Sequence, residues 1–440
     1  MSKLSKGGIN KMISKKSSWR DYFLKGIGLI LTFSLVLGLY PSLGLAQEKV
    51  KVVWSEWWDQ EWGEENINWI ISSFEKKHPN VNVAKIFTPW PNMFDKLMSL
   101  CAAGESPDVM GMEVDWFLAF DRLGVIADLD TRLAKDRDFQ ANLADSAFIG
   151  WKGKTKLLYW YAMSYHFVYD TDVFEEKGLV PPSSWDHLKW VLAKLKEPAK
   201  GKYGLALQLS LLSSQHIVLR MFHTPLVQFG GRLLDENGFP VFNSDAGVRV
   251  LKYWKSLMDE DLIYPGALET TEMTMYEMMA AGDLPLFLIG PWVQSTVQQS
   301  NPDIRLAYSP PWKDVTSGYV AAGSGISLST QSEHQDIAWE FMKHLWSDEV
   351  ALKMSKVASM PFATKTVFAA PFMKEDPILR YQLDMISDPA SQPYSPVPEM
   401  LDLYRVLSEN IQAFYLGQKT AKTALDDAAE YWRKVIQEYK

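Results

Sequence analysis

Acids and indoles crowd together at points where the chain leaves an apolar run. Glu56, Asp59, Glu61, Glu64 and Glu65 follow the first such run after the N-terminal segment, within and just beyond Trp54-Ser55-Glu56-Trp57-Trp58. Glu113, Asp115 and Trp116 follow a later one, Trp160-Tyr161 precedes another, and Gly290-Pro291-Trp292 closes the run from Leu284 to Ile289. Two chemistries use such residues. Paired carboxylates act as acid and base, or acid and nucleophile, on a glycosidic bond. Alternatively, ring faces take the C–H side of a pyranose while Asp, Glu and Gln take its hydroxyls. For any single Trp, core packing is as good an account as ligand contact. Taken together, rings at loop positions favour a cleft.

Other chemistries are missing their parts. The seven histidines include no H-E-x-x-H and no pair four residues apart, which argues against a zinc hydrolase. Cys101 stands alone, so an intrachain disulfide, a cysteine zinc cluster and an iron–sulfur site are excluded in the monomer. It falls on the apolar side of an expected helix and reads as a core residue. Gly153-Lys154-Thr155 is the nearest approach to a phosphate loop, but Phe148 occupies the place of its earlier glycine. Gly323-Ser324-Gly325 lacks the spacing of a nucleophile elbow. A balance of 45 basic to 53 acidic residues argues against nucleic acid as a partner.

These residues need rigid elements to hold them. A chain of 440 residues with 47% hydrophobic content can bury sizeable cores, in two or three domains at roughly 150 residues each. Residues 1–46 read as an export signal: a basic stretch from Lys3 to Lys25, an uncharged apolar run from Gly26 to Leu39, and small residues up to a cleavage point after Ala46. Beyond it, short apolar runs alternate with amphipathic helices, the pattern of an α/β fold. Val50–Trp54 reads as a strand. Ile67, Ile70, Ile71 and Phe74 mark one face of a helix that Pro79 ends, and Val81–Phe87 is the next strand. A helix follows on Met93, Phe94, Leu97, Leu100 and Cys101, then a strand over 108–112. Ser184 caps a helix carrying Leu188, Val191, Leu192 and Leu195. Further helices are expected around Ile337–Leu345 and over 419–440. No linker separates domains, which suggests lobes that share the chain through several crossings.

Several segments in this order resemble one family. They are Phe74-Glu75-Lys76-Lys77-His78-Pro79-Asn80-Val81, Ser106-Pro107-Asp108-Val109, Phe167-Val168-Tyr169-Asp170-Thr171-Asp172-Val173-Phe174, Gly178 to Leu188, Ala281-Gly282-Asp283 with Gly290-Pro291-Trp292, and Ala338-Trp339-Glu340-Phe341. Through essentially all of residues 50–440 the chain is similar to the extracellular solute-binding proteins of ABC importers, in the carbohydrate-binding group (family 1) that includes the maltose-binding protein. The resemblance implies a two-lobed periplasmic-binding-protein fold (type II). Lobe 1 is then 47–160 with 313–360, and lobe 2 is 161–312 with 361–440. Crossings are expected near Tyr161–Ser164, Ser309–Trp312 and Met360–Ala363. Met163 departs from the hydrogen-bonding residue that relatives often have there.

The resemblance also implies a ligand-contacting set: Glu56, Trp57, Trp58, Asp115, Trp116, Tyr161, Gln208, Trp292, Gly323 and Tyr404. It implies a monomer that binds a sugar and docks on membrane permease subunits, exported to the periplasm or cell exterior, with no cofactor and no catalysis. Two other readings stay open. One is a secreted polysaccharide-active enzyme using paired carboxylates. The other is a binding protein for a polyol or a phosphorylated ligand, which the lack of Arg and Lys in these loops disfavours.

Overall fold

The computed structural model describes residues 49–393 and 396–439; the export segment expected over 1–46, with its cleavage point, lies outside them. Strands occur at β1 (Val50–Glu56), β2 (Val81–Phe87), β3 (Val109–Glu113), β4 (Phe148–Trp151), β5 (Lys154–Tyr159) and β6 (Met163–Ser164). They continue with β7 (His166–Asp170), β8 (Leu286–Ile289), β9 (Leu306–Tyr308), β10 (Val320–Ala322), β11 (Ser324–Leu328) and β12 (Gln392–Pro393). No helix among the described residues is long and apolar enough to cross a membrane.

The first lobe is built on a six-stranded sheet of order β2-β1-β3-β11-β5-β4. β1 runs parallel to β2 and β3, while β11 returns from far along the chain to pair antiparallel with both β3 and β5. A parallel core strand is buried on both faces, and Val52 and Trp54 of β1 are fully enclosed. The Glu64–Lys77 helix turns Ile67, Ile70 and Phe74 to that core. Its acids Glu64 and Glu65 lie in the first turn and Lys76 and Lys77 in the last, each at the favourable end of the helix dipole. The strand expected at Val81–Phe87 has those limits. Asp108, just before β3, accepts the Val53 amide at 2.7 Å and ties two strands together. The C-terminal ends of β1 and β3 deliver Glu56-Trp57-Trp58 and Glu113–Trp116 to one rim of the sheet, where ligands bind in open α/β sheets.

The second lobe carries an antiparallel sheet of order β8-β7-β9. The Trp185–Leu195 helix starts where Ser184 Oγ accepts the His187 amide at 3.0 Å, the cap expected from the sequence. Helices Asp245–Asp259, Met400–Tyr415 and Ala421–Glu438 complete this core around Trp185, Trp254 and Trp432.

The chain crosses between lobes along neighbouring strands. Ala162 N binds Pro361 O at 3.0 Å and Ala363 N binds Trp160 O at 2.9 Å, while β6 pairs antiparallel with β10. Further along, Ser309 N bonds Phe167 O, and Val315 N and Thr316 N bond Gln228 O, so the chain stays against second-lobe residues through Thr316. Lys365 and Thr366 bond Ala141 and Asn142.

Candidate functional site

On the first-lobe side, the loop after β1 folds its indoles into a stack. Trp57 lies 4.2 Å from Trp58 and 5.8 Å from Trp116 between ring centroids, and Trp58 stacks on Trp62 at 5.4 Å. Gly111 makes room for this: a Cβ there would stand 2.8 Å from Ser55 O and 3.0 Å from the Trp58 ring. A hydrogen-bonded chain runs along the wall. Trp58 Nε1 donates to Tyr161 Oη at 3.2 Å, Tyr161 Oη meets Ser324 Oγ at 2.7 Å, Ser324 Oγ donates to Glu113 Oε1 at 2.9 Å, and Trp90 Nε1 donates to the same oxygen at 3.1 Å.

The acids of this wall are held away from their ordinary charge. Burial, then the charge of Asp59, raises the Glu56 carboxyl to about 8. One of its oxygens accepts the Asp59 amide while Oε1 has no partner. Burial raises Glu113 to about 7. Burial, then Glu113, Glu272 and Glu56 in turn, pushes Glu61 well up. Protonated carboxyls of this kind can donate as well as accept hydrogen bonds.

On the second-lobe side the helical segment from Ser214 to Gln228 widens to π geometry between Ile217 and His223, a feature frequent at functional sites. It presents Arg220, which is 1% exposed. The guanidinium donates to Glu272 Oε2 at 3.0 Å and to Gln208 Oε1 at 3.1 Å. It also lies 5.2 Å from the Trp292 ring and 5.3 Å from that of Tyr165. Burial opposes the Glu272 charge, but its polar neighbours, Arg220 first among them, together outweigh it and hold the group near 2. Trp292 Nε1 and Tyr276 Oη donate to the same carboxylate. Burial, then Arg220, lowers His216 to about 3, so this imidazole is neutral at pH 7.

The two walls meet. The Trp90 ring stacks on His216, Ser295 Oγ donates to Glu61 O at 2.7 Å, and Gln299 Nε2 donates to Gln60 O at 2.9 Å. At the surface, Arg122 of the first lobe pairs with Glu399 of the second and donates to Tyr439 Oη at 2.6 Å. Rings and carboxyls from both lobes thus pack close together where the lobes meet. Such a site can grip a ligand that offers apolar faces and many hydroxyls.

Comparison with known proteins decides the family. Residues 69–380 match the model of the bacterial extracellular solute-binding proteins. The chain belongs to that family. Like other solute-binding proteins, it has relatives that are distant in sequence. A chain of Brucella abortus (strain 2308) named as a binding protein is 22% identical over 82% of this chain and 87% of its own length. The maltotriose-binding protein of Pyrococcus abyssi is 24% identical over 68% of this chain and 64% of its own. An ABC transporter solute-binding protein of Thermotoga lettingae, solved with α-D-tagatose, superposes with a TM-score of 0.79 at 23% identity, covering 88% of this chain and all of that one. The fold is therefore that of the two-lobed periplasmic solute-binding proteins.

Within this solute-binding protein the residues singled out from sequence have different neighbourhoods. Glu56, Trp57, Trp58, Trp116 and Tyr161 gather on the first-lobe wall, with Asp115 beside Trp116 and nearly enclosed. Trp292 faces Arg220 on the other wall. Gln208 is fully buried behind that wall, its Nε2 on His216 Nδ1 at 2.9 Å and its Oε1 on Arg220, a place that positions those two side chains. Gly323 backs the crossing: a Cβ there would lie 2.2 Å from Tyr161 O. Tyr404 packs on Trp432 and lines a cavity of about 450 Å³ in the second lobe. Arg220, outside the loops singled out from sequence, brings a buried cation to this wall.

Trp90, Tyr165, His216, Arg220 and Glu272 escaped the sequence reading. A signal for two of them existed. Arg220 interrupts, and His216 and His223 flank, an otherwise apolar run from Ile217 to Phe222, where polar side chains need a reason to be buried.

Proposed function

We propose that this solute-binding protein captures a carbohydrate, most simply an oligosaccharide, between its lobes and delivers it to the membrane permease of an ABC importer. The observation that carries the reading is the pairing of ring faces with carboxyls on both walls: Trp90, Trp116 and Glu113 on one side, Trp292, Tyr165 and Glu272 on the other. Rings take the apolar faces of a pyranose and the polar groups take its hydroxyls. Arg220 is already neutralised by Glu272, which favours a neutral ligand over a phosphorylated one. A ligand that touches both walls stabilises the closed form by its differential contact with that form. The tagatose and maltotriose in the names of the relatives agree with the ligand class.

Calorimetric titration of the exported chain with neutral mono- and oligosaccharides tests this. Saturable binding that weakens about twofold or more in Trp292→Ala supports the reading, since a stacked ring pair contributes about 0.5–1.5 kcal/mol beyond burial. An enzyme using Glu113 as acid is the second reading, favoured by the contrast between its raised carboxyl and the ionised Glu272. Release of shorter sugars during the titration, abolished by Glu113→Gln, identifies it.

A further inference from the structure

The last four carbonyls of a helix have no partner within it. In the short helix Trp58–Trp62 these belong to Asp59, Gln60, Glu61 and Trp62. The first lobe serves two of them: Gly63 N donates to Asp59 O at 3.1 Å, and Asn66 Nδ2 donates to Trp62 O at 2.8 Å. The second lobe serves the others. Ser295 Oγ donates to Glu61 O at 2.7 Å, and Gln299 Nε2 donates to Gln60 O at 2.9 Å. Among the described residues no first-lobe donor reaches either carbonyl.

Both donors belong to one element. Ser295 lies in the helix Val293–Gln298 and Gln299 is its C-cap, while Trp292, whose ring faces Arg220, is its N-cap. Bonds made by these two side chains therefore also fix where Trp292 stands. Ser295 has a second acceptor, since its Oγ lies 3.0 Å from Trp292 O in its own helix. A hydroxyl has one proton to give, so Ser295 can hold Trp292 O when the lobes are apart and Glu61 O when they meet. Separation returns the Gln60 and Glu61 carbonyls to water. Neither state strands a buried polar group, the arrangement that would be costly.

We infer that this helix end is a latch, by which Ser295 and Gln299 hold the two lobes together in the ligand-free protein. Both are positioning residues: their donors go to the backbone of the other lobe and act on the solute through Trp292 and through closure. The latch slows entry and escape alike, because both need the lobes to part. It rests on the two-lobed solute-binding fold and not on the class of solute.

Pulsed spin-label distance measurements test this on the full chain with no sugar present. The labels go on Lys96→Cys in the first lobe and Leu212→Cys in the second, both exposed positions, whereas the native Cys101 is buried. The labelled chain is compared with Ser295→Ala, Gln299→Ala and Gln299→Glu in the same background, each with a melting curve. Each lost bond is expected to lower the ratio of short to long distances by about two- to tenfold. Ser295→Ala should have the larger effect, because its bond is partly buried and that of Gln299 is exposed. Gln299→Glu sets an acceptor against a carbonyl and should open the chain at least as far as Gln299→Ala. Gln299 is exposed, so its two variants decide the matter even where Ser295→Ala melts early. A ligand-free chain found only at the long distance, or one distribution shared by the parent and both Gln299 variants, overturns the latch. Either result leaves the carbohydrate reading untouched, since no sugar enters the experiment.

Discussion

The indole of Trp90 and the imidazole of His216 lie face to face, their centroids 5.1 Å apart and their planes inclined by 21°. One ring stands on the first lobe and the other on the second, so the contact exists only while the lobes are together. Trp90 also donates to Glu113, and Gln208 fixes the imidazole from behind. The stack therefore links closure to the polar groups of both walls.

Trp90→Ala is predicted to weaken ligand binding by about two- to tenfold, because an aromatic pair of this kind is worth about 0.5–1.5 kcal/mol. Calorimetry measures the loss directly. Retention of wild-type affinity would remove the stack from the account of closure.

Glu272→Gln leaves the buried Arg220 guanidinium without its counter-charge. Removing one partner of a buried ion pair costs about 3–5 kcal/mol, and denaturant unfolding should show a loss of that size. Adding Arg220→Met should recover much of it. A single variant as stable as wild type would mean that water already reaches Arg220.

The shifted groups give stability a maximum near neutral pH. Glu56 stays protonated in the folded chain up to about pH 8, whereas the unfolded chain loses that proton near 4.5. Above 4.5 the folded state holds the extra proton, so stability falls as pH rises through this window. Glu113 acts in the same direction up to about 7. Buried His166, His216, His223 and His344 act oppositely: each is lowered from 6.5, so its contribution is lost as pH falls below that value. Glu272 adds to the loss below 4.5. The maximum should lie near pH 6.5. Glu56→Gln is predicted to flatten the alkaline side, read as melting temperature against pH; an unchanged slope there would assign the proton elsewhere.

Arg122 joins Glu399 and Tyr439 across the lobes at the surface. Glu399 holds a left-handed backbone, φ 54°, to reach it. Exposed ion pairs contribute little, so Arg122→Ala should weaken ligand binding by no more than about threefold. The effect should appear as faster release and vanish in high salt. A loss that persists in high salt would point to packing rather than charge.

The first lobe was legible because its signals are local. The Ile67, Ile70 and Phe74 spacing, the break at Pro79 and the run Val81–Phe87 each specify an element without help from distant residues. Ser184 announced its helix in the same way. The ring-bearing loops after β1 and β3 were readable from composition, and their rim position follows from the parallel sheet. The second wall was not. Its segment from Ser214 to Gln228 is buried on nearly all sides, so it shows no amphipathic period. Glu272 looks like an ordinary first-turn acid after its Thr271 cap, and only the fold brings Arg220 to it. The course of residues 315–319 depends on bonds to Gln228 and Ser391, contacts that no local pattern encodes.

The most direct test follows intrinsic tryptophan fluorescence and melting temperature across a panel of neutral mono- and oligosaccharides, with chromatography of the sugar from the same samples. The account predicts a saturable fluorescence change, a melting temperature that rises with ligand concentration as linkage requires, and sugar recovered intact. Breakdown of the sugar, or a panel in which none raises the melting temperature, would contradict it.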